Sequence, residues 1–592
     1  IHGVHFEQFD AEANDRLRLE AVAATLIERD TRRTAPALQP HRPQLSLRPG
    51  NDPLFTFGHD VLGPIFQGFT RWIAEEADTL EAATGKKPKL LFLLRDGYLP
   101  AKAFEAAFPD RAGEVAMVEI SRFTAYAASF TDRKAIESYL VSEASSRKRD
   151  AYSSQRQNAY CQQLLFSRNE ASKLARIGST RAFIREVLKP ENVAKITSRS
   201  KKFAQGLFAH LRSHGVEDGD AVMLIDLGYN GSAQNAIDPV LRAGMNLDVA
   251  GRYLLLREQM VTGLDKKGMI DARHYDQTAL YALCESIAVM EQLCTLSQGS
   301  VMGYDDKGTP LRDASDIKGM QSAARDAAQA ACLTFIEQAG SGWATTPASW
   351  DGESARRMAA AALARLLFLP TGNEVAIFRS FIHDVNMGTR DQLRLVDPEA
   401  AAEGLRRRGL FYTRTARRMY LPGELQPHGM PALLSLFAGR RFDLDLRQTD
   451  FQGSEIRLPV ILADEAQHTQ LDIRAYPTSD GYYQALIPVG TGRFTVAVMI
   501  GQLCDWLQID ELAFHAVDDF MKKKIDDDSI PAQPVHDGMS ESAPGLYHCS
   551  AESAFILVPP PDVPLGRAHM LSFVFRPVVL RGAPAAEARK VA

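Results

Sequence analysis

The sequence has few cysteines and lacks the spacings that usually mark cysteine chemistry. Its six cysteines are scattered over 592 residues, and no two of them form a C-x-x-C pair. This spacing excludes the common zinc motifs and a disulfide framework, and it favours a reducing, cytoplasmic setting. We therefore expect the cysteines to be buried as small hydrophobic residues.

Long apolar runs and a strong excess of charge are also missing. No run approaches the roughly 18 apolar residues of a membrane-spanning helix, so no transmembrane segment is predicted. The formal net charge is −5, which argues against a broad surface for nucleic acid. Neither a G-x-S-x-G nor an H-E-x-x-H motif occurs, so the usual signatures of serine hydrolases and zinc proteases are absent.

Length and composition indicate a folded protein of two to four domains, with 45% hydrophobic and 24% charged residues. Residues 1–51 are predicted to form an N-terminal arm or linker. Residues 52–305 are predicted to form an α/β domain with a helical insertion at about 130–215. A helical region is expected at 306–407, and a β-sandwich or jelly roll at 408–592, beginning with a strand at 441–446.

The α/β prediction depends on four short, almost wholly apolar runs, which is typical of strands buried on both faces. They lie at 89–94, 115–120, 221–225 and 249–256. Helical patterns separate them, which predicts a parallel, Rossmann-like sheet with right-handed crossovers. Ligands in such sheets bind beyond the carboxyl ends of the strands, so the residues that follow each run are the candidates for function.

The third run supplies the most distinctive candidates. It is followed by Asp226, Leu227, Gly228, Tyr229, Asn230, Gly231 and Ser232. Glycines and a helix start at that place suit a phosphate, because backbone N–H groups and the helix dipole face it. Asp226 is placed to contact sugar hydroxyls or a metal ion. The same pattern also fits an ordinary strand–helix turn in which Asp226 caps the helix.

The first and second runs end in charged turns as well. Arg95, Asp96, Gly97 and Tyr98 follow the first run. Glu119 lies at the end of the second run, and Ser121 and Arg122 follow it. Ionised Arg and Asp beside a buried strand are costly unless they are paired, so they indicate either a diphosphate with bound Mg²⁺ or an Arg–Asp ion pair. Ser121 is a candidate helix cap, and Arg122 a candidate anion ligand.

The two main loops resemble those of type I phosphoribosyltransferases. In that family a loop with Arg and Gly after the first strand holds diphosphate. A later strand, ending in acids and a Gly-Thr or Gly-Ser turn, holds the ribose and its 5-phosphate. Arg95 to Gly97 match the first element and Asp226 to Ser232 the second, in the same order. Leu227 stands where those enzymes usually have a second acid, and the long interval between the loops requires a helical insertion.

Residues 52–305 also resemble a family from bacterial polysaccharide clusters that is often joined to a haloacid-dehalogenase-type phosphatase. The matching phrases are Gly58 to Trp72, Leu94 to Tyr98, Ser121-Arg122, Ile225 to Gly228 and Gly299 to Tyr304. That family resembles ribofuranosyl transferases. The β domain lies outside the resemblance.

The resemblance implies a cytoplasmic glycosyltransferase of surface polysaccharide biosynthesis. It would move a 5-phosphoribosyl group from phosphoribosyl diphosphate to a glycan hydroxyl and release diphosphate with Mg²⁺. Arg95, Gly97 and Arg122 would hold the diphosphate, Asp96 the metal ion, Asp226 the ribose hydroxyls or the metal, and Gly231 and Ser232 the 5-phosphate. Tyr98, Ser121, Gly228, Tyr229 and Asn230 would complete the substrate site, and a phosphatase would be a partner.

Several alternatives stay open at the level of sequence. Glu119, His59 and Glu291 are candidates for the general base. A phosphate-ester hydrolase with Asp226 or Asp96 as nucleophile, and a scaffold that binds sugar phosphates without turnover, are competing functions. The basic segment 148–160 suits either an anionic acceptor or a solvated helical face.

Overall fold

The computed structural model describes most of the chain, and its contacts divide the chain into two compact units. The described residues are 11–28, 52–145, 154–177, 179–258, 261–312, 322–340, 352–384, 392–415, 420–442, 444–445, 455–478, 481–491, 493–522, 529–562 and 565–582. The first unit comprises Ile1–Val396, Arg418–Gln426 and Arg440–Phe442. The second comprises Asp397–Arg417, Pro427–Gly439 and Asp443–Ala592. Most of the predicted N-terminal arm, and residues 148–153 of segment 148–160, lie outside the described residues.

The first unit is built on a five-stranded parallel sheet. Its strands are β1 Lys89–Leu93, β2 Val115–Val118, β3 Ala221–Tyr229, β4 Asp248–Leu256 and β5 Lys266–Ile270. The strand order is β2-β1-β3-β4-β5, and every neighbouring pair is parallel. The α/β class and the four predicted strands are confirmed, while β5 was not predicted.

The strand order reverses between β1 and β3. From β1 the chain goes to β2 on one side, then returns past β1 to place β3 on the other side. The two following connections therefore leave the sheet in opposite directions and open a crevice at the carboxyl ends of β1 and β3. Phe92 of β1 is in register with Ile225 of β3, so the two candidate loops leave the sheet at the same level.

Helices cover the sheet and extend beyond it. In chain order they are Ala11–Ile27, Pro53–Phe57, a π-helical turn Gly58–Leu62, Gly63–Thr84, Tyr98–Ala107, a 3₁₀ turn Pro109–Glu114, Arg122–Ser129, Arg133–Ser145, Ser154–Gln163, Arg168–Leu174, Thr180–Val187, Pro190–Ser213, Ser232–Met245, Gln277–Cys284, Ala288–Cys294, Ser322–Gly340, Gly352–Phe368 and Gly372–Phe378. The helix Gly63–Thr84 follows the π-helical turn directly. It ends at Gly85, whose φ of 70° suits glycine.

The helical insertion after β2 has a hydrophobic core of its own. Phe130, Ile136, Cys161, Phe183 and Val187 are among its buried members. The last insertion helix, Pro190–Ser213, contributes to the core against the sheet as well, through Leu207 and Leu211. The insertion is therefore a small helical body attached to the edge of the parallel sheet.

Two short hairpins interrupt the helical pattern. They are β6 Val301–Tyr304 with β7 Pro310–Arg312, and β8 Ile382–Asp384 with β9 Gln392–Arg394. The first strand of the first hairpin lies just before the region 306–407 that was predicted to be helical, and the other three strands lie within it. Among the described residues, no single helix is long and apolar enough to cross a membrane. One pair of helices, Ala355–Phe368 and Gly372–Phe378, passes that test together but bends by 71° at its break.

The chain remains helical beyond 408, which corrects the strand predicted at 441–446. Later helical segments are Pro398–Arg408, Gly409–Phe411, Tyr412–Thr415, Leu421–Leu425, Gln426–His428 and Met430–Arg441. Arg441 ends the last of these and donates to the Asp276 carboxylate at 2.6 Å. The alternating pattern that predicted a strand therefore begins at the last residue of a helix, and an ion pair anchors that residue.

The second unit contains a nearly closed antiparallel sheet. Its strands are β10 Ile456–Ala463, β11 His468–Pro477, β12 Tyr483–Gly490, β13 Thr495–Val498, β14 Cys504–Ala516, β15 Ile530–Pro531, β16 Val535–Asp537, β17 Met539–Ala543, β18 Leu546–Cys549, β19 Phe555–Val558 and β20 His569–Leu580. The predicted antiparallel β domain is confirmed, and hydrogen bonds join its described strands into one sheet. Alternation predicts which face of a strand is buried, but it does not determine how strands pair.

Candidate functional site

The loop after β1 is a tight turn that leads directly into a helix. The Gly97 N–H donates to Leu93 O at 2.8 Å, and the helix Tyr98–Ala107 begins at the next residue. A Cβ atom on Gly97 would lie 2.7 Å from Leu93 O. Glycine is therefore required here because the turn lies against the end of its own strand.

The charged residues of this loop do not neutralise each other. The described residues contain no ion pair between Arg95 and Asp96, and Arg95 Nη1 lies 3.4 Å from Gln298 O. Asp96 Oδ1 is buried without a hydrogen-bond partner. A buried carboxylate oxygen is costly when it is unsatisfied, so this position suits a bound cation or donor.

The loop after β3 leads to a helix whose N-terminus has no side-chain cap. Gly231, with φ 63°, is the N-cap of the helix Ser232–Met245. Asp226 does not cap this helix, because its Oδ1 accepts from the Leu227 N–H at 2.8 Å. Gly228 has φ 128°, and a Cβ atom there would lie 1.9 Å from Leu255 O. Both glycines are therefore required by the path of the loop. Each of the two loops contains a cis peptide bond, Leu94–Arg95 and Gly228–Tyr229.

The structure brings the acidic residues of the two loops together. The pKa of Asp226 is raised to about 7, first by desolvation and then by the negative charge of Asp96, with a smaller contribution from Glu291. The hydrogen bond from the Leu227 N–H and the charge of Arg122 act against this rise. Residues that follow β1 and β2 thus act on a carboxylate of β3. Burial also raises the pKa of Tyr229, where Glu291 adds to the shift and Arg122 and Arg257 oppose it.

In the loop after β2, Ser121 has a structural role and Arg122 is exposed to solvent. Ser121 caps the helix Arg122–Ser129: its Oγ accepts from the Thr124 N–H at 3.1 Å and donates to Val301 O at 3.0 Å. The predicted cap is confirmed, and the hydroxyl is thereby occupied. Arg122 is exposed at the start of the helix.

The three candidates for the general base occupy different surroundings. Glu119 is buried and paired with Arg312. His59 is fully buried in the π-helical turn, where Nδ1 lies 2.7 Å from Asp60 Oδ1 and Nε2 lies 3.0 Å from Gln338 Oε1. Glu291 lies in the first turn of the helix Ala288–Cys294. Of the three candidates, it is the one whose negative charge raises the pKa of both Asp226 and Tyr229.

Arg257 is a site residue that the sequence analysis missed. It follows β4 directly, and its side chain is only 9% exposed. Its Nη2 lies 3.5 Å from Asn230 Oδ1, its guanidinium lies over the Tyr281 ring at 4.8 Å, and its Nε has no hydrogen-bond partner. The signal was present in the sequence, because Arg257 is the first residue after a predicted strand, as Arg95 and Asp226 are.

The site contains both acidic groups and groups that attract anions. Asp96, Asp226 and Glu291 form the acidic part, while Arg257 and the uncapped helix start form the anion-attracting part. Within the described ranges, no three His, Cys, Asp or Glu side chains form a preformed metal cage. Mg²⁺ is usually held by one or two carboxylates together with substrate phosphates, so the unsatisfied Asp96 oxygen and Asp226 fit that ion.

Comparison with known proteins adds no family. No protein-family model matches the sequence, and no curated protein matches it significantly. The proposed function is therefore based on the geometry of the site.

Proposed function

We propose that this protein transfers a 5-phosphoribosyl group from phosphoribosyl diphosphate to a glycan hydroxyl and releases diphosphate. The observation that carries the proposal is the pair Asp96 and Asp226 at the reversal of strand order, where one acid raises the pKa of the other. Two crowded carboxylates favour a cation, and the nearby arginines and helix start favour anions. A Mg²⁺-bound diphosphate joined to a phosphorylated sugar offers both charges in one molecule.

Different residues of the site bind different parts of the donor. Arg95 and the Gly97 turn hold the diphosphate, Asp96 faces its metal ion, and Asp226 contacts the metal or the ribose hydroxyls. The helix start at Gly231 and Ser232, with Arg257, holds the 5-phosphate. Bound Mg²⁺ supplies positive charge at the leaving diphosphate, which stabilises the transition state by several kcal/mol.

The reaction requires one new bond and one broken bond. The acceptor oxygen forms a bond to the anomeric carbon, and the bond from that carbon to the diphosphate oxygen breaks with its electron pair. The acceptor proton passes to a base, for which Glu291 is the candidate best placed by its influence on Asp226. A partner phosphatase would then remove the 5-phosphate, as part of surface polysaccharide biosynthesis.

Calorimetric titration with phosphoribosyl diphosphate and Mg²⁺ tests the donor. We expect micromolar binding by the wild type and at least a tenfold loss in Asp226→Asn, because a charged contact of about 2 kcal/mol is removed. Asp96→Asn should lose mainly the gain in affinity that Mg²⁺ provides. The matched control is Asp248→Asn, which removes the same charge at the opposite end of the sheet, where Asp248 is exposed beside Lys86. Absence of binding by the wild type would refute the proposal.

A sugar-phosphate-binding scaffold is the second candidate. Two features favour it. Asp226 is followed by Leu227 where phosphoribosyltransferases usually have a second acid, and the described residues contain no preformed three-ligand metal group. Tight donor binding without diphosphate release, over a range of glycan acceptors, would support the scaffold. Phosphate release from simple esters would instead support a hydrolase.

A further inference from the structure

The helical insertion carries a charge opposite to that of the rest of the protein. Residues 132–213 contain 17 Lys and Arg against 7 Asp and Glu, whereas the whole chain has 68 against 73. The insertion therefore has a formal charge of +10, and the remainder of the chain −15. Such segregation creates a local potential that the net charge of −5 conceals.

Many of these cations are free of ion pairs. Seven exposed side chains of the insertion have neither an ion pair nor a side-chain hydrogen bond within the described part of the chain: Lys134, Arg168, Lys173, Arg176, Arg181, Arg185 and Lys201. Arg181 and Arg185 are one helical turn apart, opposite the buried Phe183 and Val187. Their charges are thus turned to solvent by the packing of the insertion core.

The insertion is attached beside the candidate site. It begins after the helix Arg122–Ser129, which starts at the carboxyl end of β2. Gln163 Nε2 donates to Phe123 O at 2.9 Å, and Ser200 Oγ donates to Ala127 O at 2.7 Å. These bonds fasten two insertion helices to the helix that carries Arg122. The insertion is therefore fastened to a helix whose first turn lies at the same sheet edge as the crevice between β1 and β3.

The character of the surface restricts its partner. Among the large apolar side chains described in the insertion, only Val141 is strongly exposed. Single-stranded nucleic acid is usually bound with aromatic stacking, and membrane surfaces with exposed apolar groups. A surface with many exposed cations and few exposed apolar groups suits a hydrophilic polymer that carries regularly spaced negative charges.

We propose that the insertion binds an anionic glycan, with carboxylate or phosphate groups along its chain, and presents it to the site as the acceptor. The acceptor role rests on the proposed transferase function. The binding surface itself requires only the cations and can be measured without any donor.

The test uses the full chain and a fluorescent polyuronate oligosaccharide at low salt. Arg181→Gln, Arg185→Gln and Lys201→Gln are combined in one variant, and Arg379→Gln, Arg394→Gln and Arg493→Gln in a control, since these are exposed cations outside the insertion. We expect the insertion variant to weaken binding about tenfold or more and to flatten its salt dependence, while the control stays within about twofold. Equal thermal stability of the variants would show that folding is preserved.

Several results would overturn the proposal. These are equal losses in both variants, no preference for polyuronate over neutral dextran, or stronger binding to anionic vesicles or duplex DNA. Asp226→Asn separates this proposal from the transferase. This variant should lose donor binding and keep polyuronate binding. If the wild type binds polyuronate but not the donor, the insertion is a glycan-binding surface without an acceptor role.

Discussion

At the scale of single residues, Asp226 shows the conflict between function and stability. Its pKa is raised to about 7 from an ordinary value near 3.8. A raised pKa means that the folded state favours the protonated acid, so stability falls as the pH rises from about 4 to about 7 and stays low above. The fully ionised cluster is therefore the least stable form of the site without a ligand.

Asp226→Asn should accordingly stabilise the protein at pH 8. We expect a gain on the order of 2 kcal/mol there and almost none near pH 4, because asparagine removes the charge and keeps the shape. Denaturant unfolding at the two pH values measures the difference. Asp248→Asn, at an exposed position, serves as the control, and an equal gain at both pH values would contradict the explanation.

Arg257 provides a second residue-scale prediction. Arg257→Met retains much of the bulk packed on Tyr281 and removes the buried charge. Affinity for ribose 5-phosphate should fall roughly 30-fold, corresponding to about 2 kcal/mol for a charged hydrogen bond, while affinity for ribose is unchanged. Partial recovery in Arg257→Lys would support an electrostatic role. Unchanged affinity for the phosphate ester would remove Arg257 from the site.

At the scale of elements, the β6–β7 hairpin is fixed to the sheet by a buried histidine. His210 Nε2 accepts from the Glu119 N–H at 2.9 Å, and Nδ1 lies 3.0 Å from Gly308 O. Both ring nitrogens are thus used in the neutral form. Burial, with a smaller contribution from His214, lowers the pKa of His210 to about 4.

This arrangement predicts a loss of stability in acid. Because the pKa of His210 is lower in the folded state than its usual value of 6.5, its contribution is complete above pH 6.5 and is lost as the pH falls toward 4. The loss amounts to at most about 3 kcal/mol. His210→Gln cannot titrate, so its unfolding free energy should depend less on pH in this window. Identical pH profiles for the two proteins would disprove the assignment.

The elements also show which parts of the fold a sequence can predict. The parallel strands were predicted because residues such as Leu91 and Leu224 belong to runs that are apolar on both faces. The strand at 441–446 was wrong because Arg441 ends a helix through an ion pair with Asp276, which is distant in sequence. Arg257 was missed although it follows a predicted strand, and its unsatisfied Nε could be recognised only from its packing.

At the scale of the whole molecule, the two units have separate cores. Leu224 is buried in the core against the parallel sheet, and Leu571 in the core of the antiparallel sheet. The sequence predicted the change from helical to β texture, but it could not predict one continuous sheet, because pairing such as β12 with β20 joins residues about 90 apart.

Separate cores predict separate responses to mutation. Leu571→Ala should cost about 2–5 kcal/mol, because it leaves a cavity in the antiparallel unit. Hydrogen exchange should then accelerate in β12, β14 and β20 and remain unchanged in β1, β3 and β4. Leu224→Ala is the reciprocal control and should produce the opposite pattern. A uniform acceleration in both variants would show a single cooperative unit.

The reversal of strand order between β1 and β3 has a consequence for how the chain folds. Asp96 and Asp226 are 130 residues apart in the sequence, so their meeting requires the closure of a long loop, which slows folding. The insertion fills most of that interval and has its own core, and its local contacts can form early. We expect an insertion that folds first to shorten the search by which β3 finds β1, so that weakening its core delays assembly of the site more than it weakens the finished fold.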